Sequence, residues 1–249
     1  MQTLCNWIIP DWPAPSNVKA LTTVRHGGVS LAPFDSFNFG NYVGDSSDAV
    51  RENRLQLRVK AGLPHEPFWL KQVHGTRVID VGAQALPYSV VEADAACAFQ
   101  ENLVCAVTTA DCLPLLLCDQ KGTCVSAVHA GWRGLAMGVI EAAVLKLNKP
   151  AADLIAWLGP AIGPQSFEVR EDVLDTFKAD ISSQTFVKTE QGTWLANLYA
   201  LARLRLERLG ITDIFGGTFC TYQNIDQFYS FRRDKTTGRM ATLIWLDFA

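Results

Sequence analysis

The chain of 249 residues has only four histidines, no basic excess and no two cysteines in C-x-x-C spacing. Lack of a C-x-x-C pair argues against a zinc ribbon or a thioredoxin-type redox site. Four histidines cannot furnish both a blue copper centre and a trinuclear one, but they are enough for one mononuclear site. No apolar run approaches the roughly 18 residues that a membrane span needs, so no membrane partner is expected. Lys and Arg number 22 against 25 Asp and Glu, a net charge of -3. That balance does not suit a general nucleic-acid binder. Internal repeats are missing, which argues against a solenoid or propeller. No Pro- or Ser-rich linker divides the chain, and the stretch Asn148 to Asp153 reads as a loop after a helix. A single domain over residues 1–249 is therefore expected. Met1 to Trp12 carries no basic residue and no long apolar stretch, so it does not read as a secretory signal. With seven cysteines, an odd number, the expectation is a cytoplasmic protein with reduced thiols.

What is present is an apolar fraction of 49% with 19% charged residues, enough for a well-packed globule. Val104 to Thr109, Leu115 to Cys118 and Cys124 to His129 are short apolar runs, the pattern of strands covered on both faces. Cys105, Cys118 and Cys124 lie in these runs and read as packing residues. Further strands are expected at Leu21 to Val24, Phe68 to Val73, Arg77 to Val81, Leu154 to Leu158, Ile214 to Phe219 and Met240 to Leu246. Helices are expected at Ala49 to Ala61, Leu135 to Leu147, Asp172 to Ile181 and Trp194 to Leu209. The Leu135 to Leu147 stretch is apolar nearly all round and should be deeply buried. Strands and helices mix without a strict βαβ rhythm. This predicts an α+β fold of mixed β-sheets with helices packed outside, rather than a doubly wound sheet.

Three potential metal ligands sit where strands are expected to end. His74 follows Lys71-Gln72-Val73. Cys112 lies in Thr109-Ala110-Asp111-Cys112-Leu113-Pro114, and His129 precedes Ala130-Gly131-Trp132-Arg133-Gly134. Two imidazoles and a thiolate would leave a fourth tetrahedral position open, as in a catalytic zinc site. Their separations match no local metal motif, and a histidine at a strand end is often structural. Glycines flank Trp132-Arg133 ahead of an expected helix, which suits an anion site or, equally, a plain strand-to-helix turn. Arg25, beside Gly27-Gly28, and Arg233, in Phe231-Arg232-Arg233-Asp234, are the other candidate anion-binding arginines.

Five motifs occur in one order: Lys71-Gln72-Val73-His74-Gly75, Thr109 to Pro114, Val128 to Gly134, Leu158-Gly159-Pro160-Ala161-Ile162-Gly163-Pro164, and Phe231 to Asp234. With them the chain, from about Leu21 to Trp245, resembles the bacterial laccase-domain family, also called multicopper polyphenol oxidases. Members of that family are described as purine nucleoside phosphorylases with adenosine deaminase activity, and some as a peptidoglycan editing factor. The resemblance implies one mononuclear zinc site at His74, Cys112 and His129, with copper as an alternative occupant. It also implies an α+β fold distantly similar to a toxin domain that hydrolyses with a Cys-His pair. After Gly163-Pro164 some members carry a Cys pair, whereas this chain has Gln165-Ser166.

The implied partners are a purine nucleoside and phosphate. The products would be free base and ribose 1-phosphate from adenosine, inosine or guanosine. The sugar is cation-like in the transition state and the departing base gains negative charge, so the site needs an anion pocket and an acid near the base. Arg25, Arg133 or Arg233 would hold phosphate. Asp111 is either a proton shuttle or the anchor of the Cys112 loop, and Trp132 or Phe231 could stack on the purine. Competing readings are a copper-dependent polyphenol oxidase, a Cys112/His129 hydrolase acting on peptidoglycan precursors, and a non-enzymatic metal-binding module. The oligomeric state stays open.

Overall fold

The computed structural model describes residues 7–83 and 91–247. Cys5 and the first half of the Met1 to Trp12 segment lie outside them. The elements in chain order are β1 (Val18–Thr22), α1 (Ser47–Lys60), β2 (Leu70–Lys71), β3 (Val78–Asp80), β4 (Val91–Glu92), β5 (Ala95–Ala98), β6 (Cys105–Thr109) and β7 (Leu113–Asp119). They continue with β8 (Val125–Ala130), α2 (Trp132–Met137), α3 (Val139–Leu147), β9 (Leu154–Leu158), β10 (Glu168–Val169), α4 (Glu171–Thr176) and β11 (Phe186–Lys188). The last are β12 (Trp194–Ala196), α5 (Leu198–Arg208), β13 (Asp213–Gly216), α6 (Phe231–Asp234) and β14 (Met240–Leu246).

The largest sheet has six strands in the order β13-β9-β7-β8-β5-β3. Its outer pairs β13/β9 and β3/β5 are parallel and its inner pairs antiparallel. An antiparallel sheet of three strands, β1-β14-β6, lies against it. The expected α+β fold of mixed β-sheets with helices packed outside is therefore observed.

Strand periodicity explains the layering. Along β7, Leu113, Leu115 and Leu117 join one apolar cluster while Leu116 and Cys118 join another. In β9, Leu154, Ala156 and Leu158 go one way, and Ile155 and Trp157 the other. The first cluster includes Ile140 and Ala143 of α3 and Leu201 and Ala202 of α5. The second includes Cys105 and Val107 of β6 and Ile244 and Leu246 of β14. The opposite face of the small sheet (Ala106, Leu243, Trp245) meets Phe37, Phe39 and Leu57 of α1. The order through the molecule is thus helices, six strands, three strands, helix. Each large buried apolar side chain stabilises this stack by about 1.5–3 kcal/mol.

Three expected helices differ. The stretch Leu135 to Leu147 is two helices: α2 starts earlier, at Trp132, and Gly138, with φ 95°, separates it from α3. A left-handed residue cannot continue a helix. Nor is the stretch buried all round, since Met137 and Leu145 are exposed. Trp194 to Ala196 forms β12, paired with β10 and β11, rather than a first helical turn. The helix starts only after Asn197, whose side chain accepts from the Ala200 N–H at 3.1 Å and caps it. The expected helix Asp172 to Ile181 is α4 followed by a single tighter turn, Lys178–Asp180.

Candidate metal centre

The inter-sheet gap is apolar along most of its length and becomes polar at one end. On β8, Val125 and Ala127 face the gap, and the next residue of that parity is His129. On β6, Cys105 and Val107 face it, followed by Thr109. A cavity of about 1000 Å³ opens at this end, lined among others by His74, Cys112, His129, Thr109, Arg133, Phe231 and Arg239.

The three sequence-predicted ligands converge there. One donor atom from each of His74, Cys112 and His129 lies within 4.8 Å of the other two. Cys112 Sγ is 3.9 Å from His74 Nε2, and the two imidazole rings stand edge to face, 4.8 Å apart at 73°. Gly131 leaves room beside them. A Cβ there would lie 3.0 Å from both Cys112 Sγ and His74 Cδ2. Two nitrogens and a thiolate around a space that a single methyl would fill are a donor set that fits zinc or another borderline-soft ion.

Asp94, which the sequence did not mark, organises the centre. It is fully buried. Its Oδ1 pairs with His129 Nδ1 at 2.8 Å and accepts the His74 N–H at 2.9 Å. Its Oδ2 accepts the N–H groups of Gly75 at 2.6 Å and Val73 at 3.3 Å. A carboxylate on Nδ1 fixes the tautomer and turns Nε2 toward the cluster. The same carboxylate holds the turn at His74, whose φ of 60° is uncommon for a non-glycine residue and costs about 1–2 kcal/mol. The only signal in the sequence is an acidic residue set among alanines, Ala93-Asp94-Ala95-Ala96.

Electrostatics set Cys112 apart from the other thiols. Burial pushes Cys118 and Cys124 up to about 12. Burial acts on Cys112 in the same direction, yet the charge and hydrogen bond of His129, joined by His74, pull it down to about 6. His129 moves the opposite way. Burial lowers it, but Cys112 and Asp94 together raise it to about 9. Asp94 itself is pulled below the usual carboxylate range, by His129 and backbone N–H groups acting against burial. Both shifts favour the thiolate form of Cys112 and the imidazolium form of His129 when no cation lies between them.

The other candidates divide. Arg133 lines the cavity, its guanidinium 4.3 Å above the Trp132 ring. Arg25 and Arg233 do not belong to that lining. Arg25 is tied to Asp35 and to the Asp35 and Ile225 carbonyls. Arg233 pairs with Asp234 and donates to the carbonyls of Thr221, Tyr222 and Phe228. Asp111 has both oxygens engaged, one by the Thr221 hydroxyl at 2.6 Å and one by the Arg232 N–H at 2.6 Å. Trp132 packs against the core, while half-exposed Phe231 borders the cavity. Among the described residues six cysteines are free, and Ser166 stands 3.6 Å from Cys220. No helix among the described residues is long and apolar enough to cross a membrane.

Known proteins resemble the chain along nearly its whole length. A protein of Pseudomonas aeruginosa named as a purine nucleoside phosphorylase is 49% identical, covering 96% of this chain and 98% of its own. The Escherichia coli purine nucleoside phosphorylase YfiH is 48% identical with the same coverage. A solved protein of Neisseria meningitidis superposes with a TM-score of 0.92 at 47% identity, covering 98% of this chain and all of its own. YlmD of Geobacillus stearothermophilus gives 0.91 at 29% identity, covering all of this chain and 98% of its own. The profile of the multi-copper polyphenol oxidoreductase laccases matches residues 19–247, and the chain belongs to that family.

Proposed function

We propose that this chain is a zinc-dependent purine nucleoside phosphorylase that also deaminates adenosine. The observation that carries the reading is the convergence of His74, Cys112 and His129 at the wall of a cavity of about 1000 Å³. The names of the near-half-identical relatives support it. In phosphorolysis an oxygen of phosphate bonds to C1′ of the ribose while the bond from C1′ to the purine nitrogen breaks. The electron pair leaves with the base, which then takes up a proton. His74, Cys112 and His129 would hold the zinc, which supplies Lewis-acid chemistry to the purine.

The remaining roles fall to the chain itself. Asp94 orients His129 and pins the His74 turn. Phe231 offers an apolar face on the cavity wall for the purine. Arg133 brings positive charge to the cavity for phosphate. Asp111 positions Cys112, because both of its oxygens are engaged at distances that hold the turn. A second reading, a Cys112/His129 hydrolase, is favoured by one observation: the Cys112 sulfur and a His129 ring nitrogen lie within 4.8 Å of each other, the pairing of nucleophilic catalysis, and His129 pulls the thiol below its usual range.

The test uses metal-defined protein with adenosine or inosine, with and without phosphate, following free base, ribose 1-phosphate and ammonia. Zinc-dependent base release that requires phosphate is expected, and Cys112→Ala should abolish zinc binding and turnover while the fold persists. Intact nucleosides under those conditions would overturn the reading, as would phenol oxidation only with copper. Amide cleavage by metal-free protein, stopped by a thiol alkylator, would favour the hydrolase.

A further inference from the structure

We propose that Arg239, Arg133 and the hydroxyl of Thr109 form the subsite for inorganic phosphate on the cavity wall beside Cys112. Arg239 was not singled out by sequence, yet it differs from the two arginines, Arg25 and Arg233, that the sequence offered beside Arg133. Arg25 and Arg233 face carboxylates, at 3.4 and 2.8 Å. Arg239 has no carboxylate at ion-pair distance among the described residues. Its Nη1 donates to the carbonyls of Thr237 and Gly238 at 2.8 and 2.9 Å. Nε and Nη2 have no partner among the described residues. Two adjacent donors of one guanidinium, free on a cavity wall, match two oxygens of a tetrahedral oxyanion.

Thr109 supplies the second, independent observation. It is only 2% exposed, it lines the same cavity, and its Oγ1 has no hydrogen-bond partner among the described residues. Buried hydroxyls are almost always satisfied, so an absent acceptor or donor is expected at this position. Thr109 sits opposite Met240 in the β6/β14 register, one residue from Arg239, and three residues before Cys112. Arg133 adds a guanidinium on the same lining with no carboxylate paired to it among the described residues.

The surroundings hold Arg239 in place. Its N–H donates to buried Asn38 at 2.8 Å, and its carbonyl accepts from Phe39 at 3.1 Å. Gly40 packs so closely that a Cβ would lie 2.8 Å from Arg239 Cγ. The guanidinium carbon lies 5.8 Å from the Phe231 ring, next to the face assigned to the purine. Pre-positioned donors are what an anion site requires.

The inference rests on the phosphorylase reading, and its test keeps the two separable. Phosphate binding to the zinc-loaded full chain is measured directly by calorimetry and by phosphorus NMR, without nucleoside. Arg239→Gln should weaken binding roughly tenfold or more, as loss of charge-assisted bonds does. Thr109→Val should weaken it several-fold, about fivefold, with Tm unchanged or raised, because the unpartnered hydroxyl is removed from the ligand-free state. In turnover both variants should raise KM for phosphate and leave KM for inosine within about twofold. Unchanged phosphate affinity in both variants would overturn the subsite even if nucleosides are cleaved. Loss of phosphate binding in the variants with no nucleoside cleavage by the wild type would keep the subsite and reject the phosphorylase. Arg239-dependent binding of adenosine 5′-monophosphate but not of free phosphate would assign the pocket to a nucleotide and overturn the proposal.

Discussion

At the scale of single residues, Asp94 has the widest influence. Its two oxygens face four donors, so an amide in its place would set N–H against N–H. Asp94→Asn should lower zinc affinity roughly 10–100-fold, the usual effect of removing the partner of a metal-ligating histidine. It should also destabilise the protein by about 1–3 kcal/mol. Competition with a chromogenic chelator and thermal unfolding measure the two effects. For Cys112 the sign is set by its neighbours. A thiol held down to about 6 is a thiolate above that pH, so alkylation of zinc-stripped protein should rise through a midpoint near 6. The buried Cys118 and Cys124, up at about 12, should stay inert at neutral pH. A midpoint near 9 would show that His129 does not act on the thiol, and zinc should protect Cys112 throughout.

Sequence was informative at this scale where chemistry demands a rare residue, and uninformative where it demands a common one. The scarcity of histidine, the placement at expected strand ends and the family resemblance of the surrounding motifs drew attention to His74, Cys112 and His129. Asp94 resembles any acidic residue near a strand end, because its four bonds come from segments that folding brings together. The arginines show the same limit. Nothing along the chain distinguishes Arg25 and Arg233, whose donors are taken up by nearby carbonyls and carboxylates, from Arg239, which keeps two donors free.

At the scale of elements, the turn from β8 into α2 decides how closely the ligands approach. Gly131 has φ -64°, so alanine there meets no backbone penalty and only its methyl matters. Gly131→Ala should weaken zinc binding about tenfold or more by pressing on Cys112 and His74, while Tm of the zinc-free protein changes little. Metal titration beside calorimetry tests this, and unchanged affinity would show that the loop yields. Apolar periodicity correctly located β7, β8, β9 and β14, which are buried on both faces, but it missed β5, an alanine-rich strand of the six-stranded sheet. It did not locate the interruption at Gly138 or the strand at Trp194–Ala196. Both depend on partners elsewhere: a left-handed residue between α2 and α3, and sheet pairing with β10 and β11.

At the scale of the molecule, two sheets packed face to face keep the cavity in register. Leu116 is fully buried in the layer between them. Leu116→Ala should cost about 2–5 kcal/mol, and each kcal/mol lowers Tm by roughly 2–4 °C in a chain of this length. Zinc stoichiometry at low temperature should stay intact, because no ligand moves with that side chain. A variant that lost zinc before it lost its fold would refute this separation of core from site.

The layering has a consequence for engineering. His129 and Asp94 belong to the six-stranded layer, whereas Thr109 and Arg239 belong to strand β6 and the edge of β14 in the thinner one. Bulkier replacements at Val107 or Ile244, which fill the layer between the sheets and do not themselves line the cavity, would alter the spacing between the two halves. The size of molecule accepted can thus be adjusted from inside the protein, by choosing the thickness of its interlayer filling.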